Sequence, residues 1–540
     1  MRVQSAALRA SPLTREALAA TGGAGILSAL LVWAGPPGSD FAAHVYQRAI
    51  FIQHGFELWN NFWYAGRYSF ITYSLIYYPL AALLGIRLLA VATISTAALA
   101  FAIVVMRQWG VKARWSSRTF AVVWAGTVLT AAFPFALGAA LALLALLALQ
   151  RRKLWQFSVL AVLTVAASPL AFLLLALVLA GLALARRADR RTLIATSFSV
   201  GTLGLLELAL WRVFPDQGRY PFSIWELLGA MVFCGYGIVL SWRVEGSKLL
   251  QFVFPVYALA CVGAFLVPSA LGDNVLRVRY VAVPIAVLLL TLRDWRPRWL
   301  AVSALGLAIA WNVSPLVGSV QASSGDPSSN APFWAPAITY LHAHLSPSYR
   351  VEAVDTSGHW PAYYLPRSGI PLARGWFRQD DFPQNAILYG HFGPKAYLSW
   401  LRGLGVRYVV LANAPPDYSS EAERDLLQSG RLDLPIVLAT RTVTIYAVPH
   451  PRPIVTGPGP SRVVAMTQEG LTFRVGKAGV YRIAVRYTPY WQTSVGCVSA
   501  DKARMIRLIV PRAGLVEMSF EASASRLFGQ MTGSQPKPCP

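Results

Sequence analysis

The chain has 540 residues, of which 55% are hydrophobic and only 13% charged. Soluble domains carry about 25% charged residues, so these proportions exclude an ordinary soluble protein. The net charge of +24 would point to nucleic acid in a soluble chain. Here most of the surplus lies in short loops between apolar runs, the pattern that orients membrane helices, and nucleic acid is set aside as a partner.

The apolar runs are concentrated before about Val320. They predict a polytopic α-helical membrane protein with a non-membrane C-terminal part. Arg2, Arg9 and Arg15 precede a first span at about Ala17 to Ala34 and place the N-terminus in the cytoplasm. That span lacks a small-residue cleavage motif and is read as a helix, not a signal peptide. The loop from Gly35 is then outside. Phe70 to Gly85 is short and contains Pro79, which predicts a re-entrant or juxtamembrane segment. A second span follows at Leu88 to Met106. Thr119 to Leu149, broken at Phe133-Pro134-Phe135, and Leu154 to Ala185, broken at Ser168-Pro169, each read as a hairpin of short helices. Both hairpins start and end at basic clusters, among them Arg151, Lys153, Arg186, Arg187, Arg190 and Arg191. Spans at Leu193 to Val213, Ile224 to Ser241, Leu249 to Val267, Tyr280 to Leu292 and Trp299 to Val317 bring the expectation to about eleven. An odd count leaves the C-terminal part outside.

The expected domains are a transmembrane domain at 1–317 with its first outer loop at 35–87, a linker at 318–330, an α/β domain at 331–450 and a β-sandwich at 451–540. Helices at Ala331 to Leu345, Pro394 to Leu404 and Ser419 to Ser429 alternate with strands at Arg350 to Val354, Val406 to Ala412, Ile436 to Thr440 and Val443 to Val448, which argues the α/β class. Short strands at Leu471 to Val475, Val480 to Tyr487, Met505 to Val510 and Leu515 to Phe520 argue the sandwich. Cys234 and Cys261 fall in apolar segments and read as inert. Cys497 and Cys539 are a disulfide candidate if their domain is outside.

The chemistry concentrates in Gly38 to Phe70. Asp40, His44 and Arg48 recur at four-residue steps, so they share one helix face. Two readings stand. Ser39 and Asp40 could cap the helix, or Asp40 could act as a base at the outer leaflet with His44 and Arg48 orienting substrate. Trp59, Trp63 and Tyr64 either anchor the interface or stack on sugar faces, and Arg67 could meet a phosphate. Arg277 and Arg279, at the outer mouth of a helix, either snorkel or bind an anionic lipid phosphate. Pro371 to Asp381 gathers Arg374, Trp376, Arg378 and Asp381, preceded by His359 and Trp360. It reads as a packing loop or as an acceptor-side wall. No P-loop, strand-led GxGxxG, CxxC pair or HExxH is present, so nucleotide binding and zinc lack support. The Asp380-Asp381 pair leaves a divalent metal open without a ligand set.

Several segments carry a family resemblance: SDFAAHVYQ after the first span, YYPLAALLG, the Pro-broken hairpins, HWPAYYLP (His359 to Pro366), PLARGWFRQDD (Pro371 to Asp381), YLSWLRGLGVRYVVL (Tyr397 to Leu411) and GVYRIAVRYTPYW (Gly479 to Trp491). They resemble the GT-C superfamily of integral-membrane glycosyltransferases, and within it actinobacterial membrane proteins labelled 6-pyruvoyl-tetrahydropterin synthase-related, a label that implies no pterin chemistry. The resemblance implies a bacterial plasma-membrane location, a polyprenyl-phosphate sugar donor, a glycan or glycolipid acceptor, and an acidic residue in the first outer loop. Asp40 is the matching position, although many members carry paired acids where this chain has Ser39-Asp40. A flippase of lipid-linked saccharides and a non-catalytic envelope scaffold are the alternatives. A transporter would call for intramembrane charge or repeats; apart from Glu207 and Glu226 few charges fall within spans, and no clear repeat is present.

Overall fold

The computed structural model describes residues 11–185, 189–215, 218–534 and 539. Arg2, Arg9, Arg186 and Arg187, counted above among the orienting charges, lie outside the described residues. The chain divides into two compact units. One comprises Met1–Gly38, Ser74–Leu205 and Tyr220–Gln321, the other Ser39–Tyr73, Leu206–Arg219 and Ala322–Pro540.

The first unit is helical. Among the described residues of the chain, eight segments are long and apolar enough to cross a membrane: Pro12–Ala34, Ile86–Thr130, Phe133–Gln150, Arg190–Val213, Ile224–Ser241, Lys248–Leu266, Gly272–Leu292 and Arg298–Ser323. Two shorter apolar helices, Leu154–Ala167 and Pro169–Leu184, accompany them. Leu30, Phe198, Leu259 and Val302 are largely exposed, as side chains that meet lipid would be.

Local chemistry explains the breaks. The 119–149 run turns at Ala131, which is left-handed at φ 55°, and not at Pro134. Pro134 falls in the first turn of the next helix, where its missing N–H leaves no bond unmade. Ser168 Oγ accepts the Ala171 N–H at 3.3 Å and caps Pro169–Leu184. In Phe70 to Gly85 the only α-helix is the 8-residue Tyr77–Leu84, about 12 Å long against a hydrocarbon core of roughly 30 Å. Glu226 is accounted for by a capping box. Its N–H donates to Ser223 Oγ at 3.2 Å, and its carboxylate accepts the Ser223 N–H at 3.2 Å.

The second unit holds an α/β layer and a β-sandwich. In the four-stranded sheet, Val406–Ala412 pairs parallel with Arg350–Ala353 and antiparallel with Val443–Ala447, and Ile436–Ala439 forms the edge. Arg350–Ala353 and the inner strand Val406–Ala412 are buried along nearly their whole length, as expected where both faces are covered. Helices Ala331–His344, Pro394–Gly403 and Glu421–Gln428 belong to this layer.

The sandwich has two antiparallel four-stranded sheets. One orders Cys497–Ala500, Met505–Val510, Gly479–Arg486 and Val455–Thr456; the other Trp491–Thr493, Gly514–Phe520, Gly470–Val475 and Ser461–Met466. Val516, Met518 and Phe520 alternate inward along one strand. The Pro-rich 451–460 stretch contributes the strand Val455–Thr456. The helix Arg298–Ser323 runs into the 318–330 stretch, which ends in a buried turn where Ser328 donates to Asp326. Cys497 and Cys539 form a disulfide, while Cys234 and Cys261 are free and buried.

Residues of the first loop sit inside both layers of this unit. Trp59 and Tyr68 belong to the sandwich core, and Ala65 to the α/β core. Leu58 and Trp59 N–H donate to Glu469 Oε1 at 2.5 and 3.1 Å. Asn61 donates to the carbonyls of Gln468, Thr467 and Gly470. The Leu372 N–H donates to the Phe62 carbonyl at 2.9 Å and the Arg486 N–H to that of Ala65 at 2.8 Å. Tyr64, Ala65 and Gly66 are successively left-handed. At Gly66 a Cβ would lie 2.5 Å from the Trp59 ring, so only glycine fits there.

Candidate functional site

Asp40 stands at the N-cap of the helix Phe41–His54, partly exposed, and its side chain makes no capping bond to the helix N–H groups. His44 follows one turn later and is fully buried. Its ring stacks at 6.2 Å on Tyr73 and lies 5.9 Å from Trp376, tilted by 58°. Arg48, a further turn along, is partly exposed. Phe41 meets Trp360 at 6.4 Å. The structure therefore gathers Asp40, His44, Trp360 and Trp376 around the first turns of one helix. Tyr73 joins them, a residue that local sequence spacing gave no means of finding.

The loop Pro371 to Asp381 is held by ion pairs. Arg374 grips Asp381 bidentately at 3.1 and 2.9 Å and donates to Ser420 and Ser419. Asp381 also accepts from Asn385 at 3.0 Å and Tyr389 at 2.7 Å. Arg67 is buried against Asp380, its guanidinium 3.8 Å from the Phe377 ring centre. Arg378 pairs with Asp417 and lies 4.1 Å over Tyr418. These cations and Asp381 are engaged with protein partners. Packing is close as well, since a Cβ on Gly375 would lie 2.7 Å from Trp63.

His359, left-handed at φ 57°, sits 2.5 Å through Nδ1 from the Asp355 carboxylate. Burial acts to lower its pKa, but Asp355 and Asp417 together outweigh burial and hold the imidazole above its ordinary value. Burial alone would raise Asp417, yet Arg378 and His359 hold it below the usual carboxylate range. The four-residue spacing of Asp355 and His359 could have flagged that pair. The approach of Asp417 could not be read locally.

Trp59 is 2% exposed. Phe520 stacks on it at 5.3 Å, Tyr68 and Trp491 meet it edge-on, and its Nε1 donates to Asn61 at 2.9 Å. A ring enclosed this way presents no face to membrane or sugar. Tyr64 is buried too, beneath the Arg486 guanidinium at 5.6 Å.

In the helical unit, Arg277 and Arg279 lie on the 3₁₀ segment Gly272–Val281. Arg277 donates to Asn274 Oδ1 at 3.3 and 3.1 Å and stands 5.2 Å over Phe135. Arg279 lies 5.9 Å over Tyr280. Arg277 lines a cavity of about 210 Å³ whose walls include Phe120, Trp124, Phe135, Leu175 and Phe254. Among the described residues it is the only charged side chain on that lining. No cluster of three or more His, Cys, Asp or Glu suited to a metal occurs among the described residues.

No family model matches the chain, and no curated protein matches it. Among solved structures it is similar to the arabinofuranosyltransferase AftD from mycobacteria, at 16% identity over 88% of this chain and 42% of that one, with a TM-score of 0.48. A second AftD structure, of the R1389S mutant, matches at 13% identity over 95% of this chain and 60% of that one, with a TM-score of 0.47. The chain thus spans less than two thirds of the length of either.

Proposed function

We propose that the chain is a membrane-embedded glycosyltransferase of a bacterial plasma membrane, with the N-terminus inside and the C-terminal domains outside. It moves a hexosyl or pentosyl unit from a polyprenyl-phosphate donor to an extracytoplasmic cell-envelope glycan or lipid. The observation that carries this reading is Arg277 on the wall of an otherwise apolar cavity. An isoprenoid chain bearing a phosphate calls for those two chemistries side by side.

In the reaction the acceptor hydroxyl gives its proton to the Asp40 carboxylate while its oxygen bonds to the anomeric carbon. The bond from that carbon to the phosphate oxygen breaks, and its electron pair leaves with the polyprenyl phosphate. Arg277, with Arg279, is the helical unit's candidate for holding the donor's phosphate. Asp40 suits the role of base because it is a carboxylate that stays partly exposed at the start of its helix. His44, fixed between Tyr73 and Trp376, keeps that helix in place, Arg48 lines the acceptor side, and His359, held by Asp355, supports it from within. Arg67, Arg374 and Asp381 act as positioning residues, since their ion pairs hold the loop that carries Trp376 and Trp360 frames the same helix.

The test uses purified protein in nanodiscs with radiolabelled polyprenyl-phosphate sugars and envelope acceptors. Asp40→Asn should lower transfer by about 100- to 10,000-fold, while mass spectrometry still finds copurified polyprenyl phosphate. Arg277→Ala should lose that lipid. Undiminished transfer by Asp40→Asn overturns the assignment.

A further inference from the structure

The helix Ala524–Thr532 closes the sandwich and has no buried residue. Phe528 is 67% exposed and Met531 is 53% exposed, three positions apart and so on one face. The opposite side carries Arg526, which donates to the Pro489 carbonyl at 2.9 Å, and Leu527, flanking Met531, packs on the sandwich core. Beyond the helix the chain is tied back by the Cys497–Cys539 disulfide.

The neighbour of this helix identifies what covers it. The sandwich core also takes in the end of the membrane-length helix Arg190–Val213: Val213 and Phe214 are core residues, and Tyr490 donates to the Val213 carbonyl at 2.6 Å. Just before that anchor, Leu208 and Trp211 are exposed, a tryptophan at the helix end being the usual mark of the membrane–water interface. Gly533, which ends the C-terminal helix, lies within reach of that last turn, since a Cβ there would be 3.9 Å from the Nη2 of the Arg212 side chain. The helix sequence ASRLFGQMT carries one arginine and no acid, which suits a surface of anionic headgroups.

We propose that Ala524–Thr532 is an interfacial helix that lies in the bilayer surface beside the point where Arg190–Val213 emerges. Phe528 and Met531 enter the acyl boundary, and the helix seats the sandwich on the membrane. This inference is independent of the sugar-transfer reading.

The test uses the full chain in nanodiscs of phosphatidylcholine and phosphatidylglycerol, in a Cys234→Ala, Cys261→Ala background whose remaining disulfide is verified by mass. Spin labels are placed at Phe528→Cys, Met531→Cys and, for comparison, Lys502→Cys in an exposed turn. Power saturation should show the first two labels more accessible to oxygen than to a water-soluble nickel chelate, and Lys502 the reverse. Three results overturn the proposal: nickel accessibility at Phe528 equal to that at Lys502, low accessibility to both agents, or dipolar broadening that places a second copy on the helix. Because Phe528 and Met531 are exposed, neither substitution threatens folding.

Discussion

Trp59→Ala separates two roles that an aromatic residue in a membrane-proximal loop could play. The ring is 2% exposed and touches Tyr68, Trp491 and Phe520, residues from well-separated parts of the chain. Truncating a buried tryptophan costs about 3–5 kcal/mol, and the loss here also leaves Asn61 Oδ1 without its indole donor. A domain of 150–250 residues loses roughly 2–4 °C of melting temperature per kcal/mol, so a fall of roughly 6–20 °C is expected. Intrinsic fluorescence during heating of the nanodisc-held protein reads this directly, and Trp59→Phe should give a much smaller fall. A sugar-stacking or interfacial tryptophan would behave differently, losing substrate binding at unchanged melting temperature. A Trp59→Ala midpoint within 1–2 °C of wild type, against that expectation, would refute its placement in the sandwich core.

Two further outcomes follow from the charged groups. Asp381→Asn leaves Arg374 buried without its carboxylate, and removing one partner of a buried pair costs about 3–5 kcal/mol; Arg374→Met with Asp381→Leu should recover part of that in chemical unfolding. Burial, with Glu469 beside it, pushes the Glu57 carboxyl up to about 7. A raised folded pKa means that its contribution is fully present below the unfolded value near 4.5 and is lost as pH rises through 7. Wild type should therefore lose stability relative to Glu57→Gln between pH 5 and 8 in thermal scans, and parallel curves would contradict the assignment.

Much of the secondary structure was legible because local periodicity carries it. Val406–Ala412 and Met505–Val510 occur where apolar runs place them, and several other strands and helices of the C-terminal part agree within a residue or two. The break assigned to Pro134 lies at Ala131 because a proline is equally at home in the first turn of a helix. Ser461–Met466 escaped notice because only Val463 is buried along it, which gives no alternation to read. The arginines of the 371–381 loop left packing and an acceptor-side wall both open because density of charge is visible in a sequence and pairing is not. Asp380 and Asp381 were adjacent all along, but their partners Arg67 and Arg374 are selected by tertiary packing. The Asp40, His44 and Arg48 spacing was readable; the Tyr73 and Trp376 rings that enclose His44 were not.

The bonds from Leu58, Trp59 and Asn61 to residues 467–470 also set an order of events during synthesis. The loop leaves the ribosome early, yet its last aromatic wall, Phe520, comes some 450 residues later. At about 5–20 residues per second that interval is roughly 20–90 s. Throughout it the aromatic stretch has no finished shell, and the hydrophobic surface it will bury stays uncovered. The loop reaches its final packing only after the last sandwich strand has been made, so a chain interrupted upstream of Gly470 would carry Asp40 without the scaffold built around its loop.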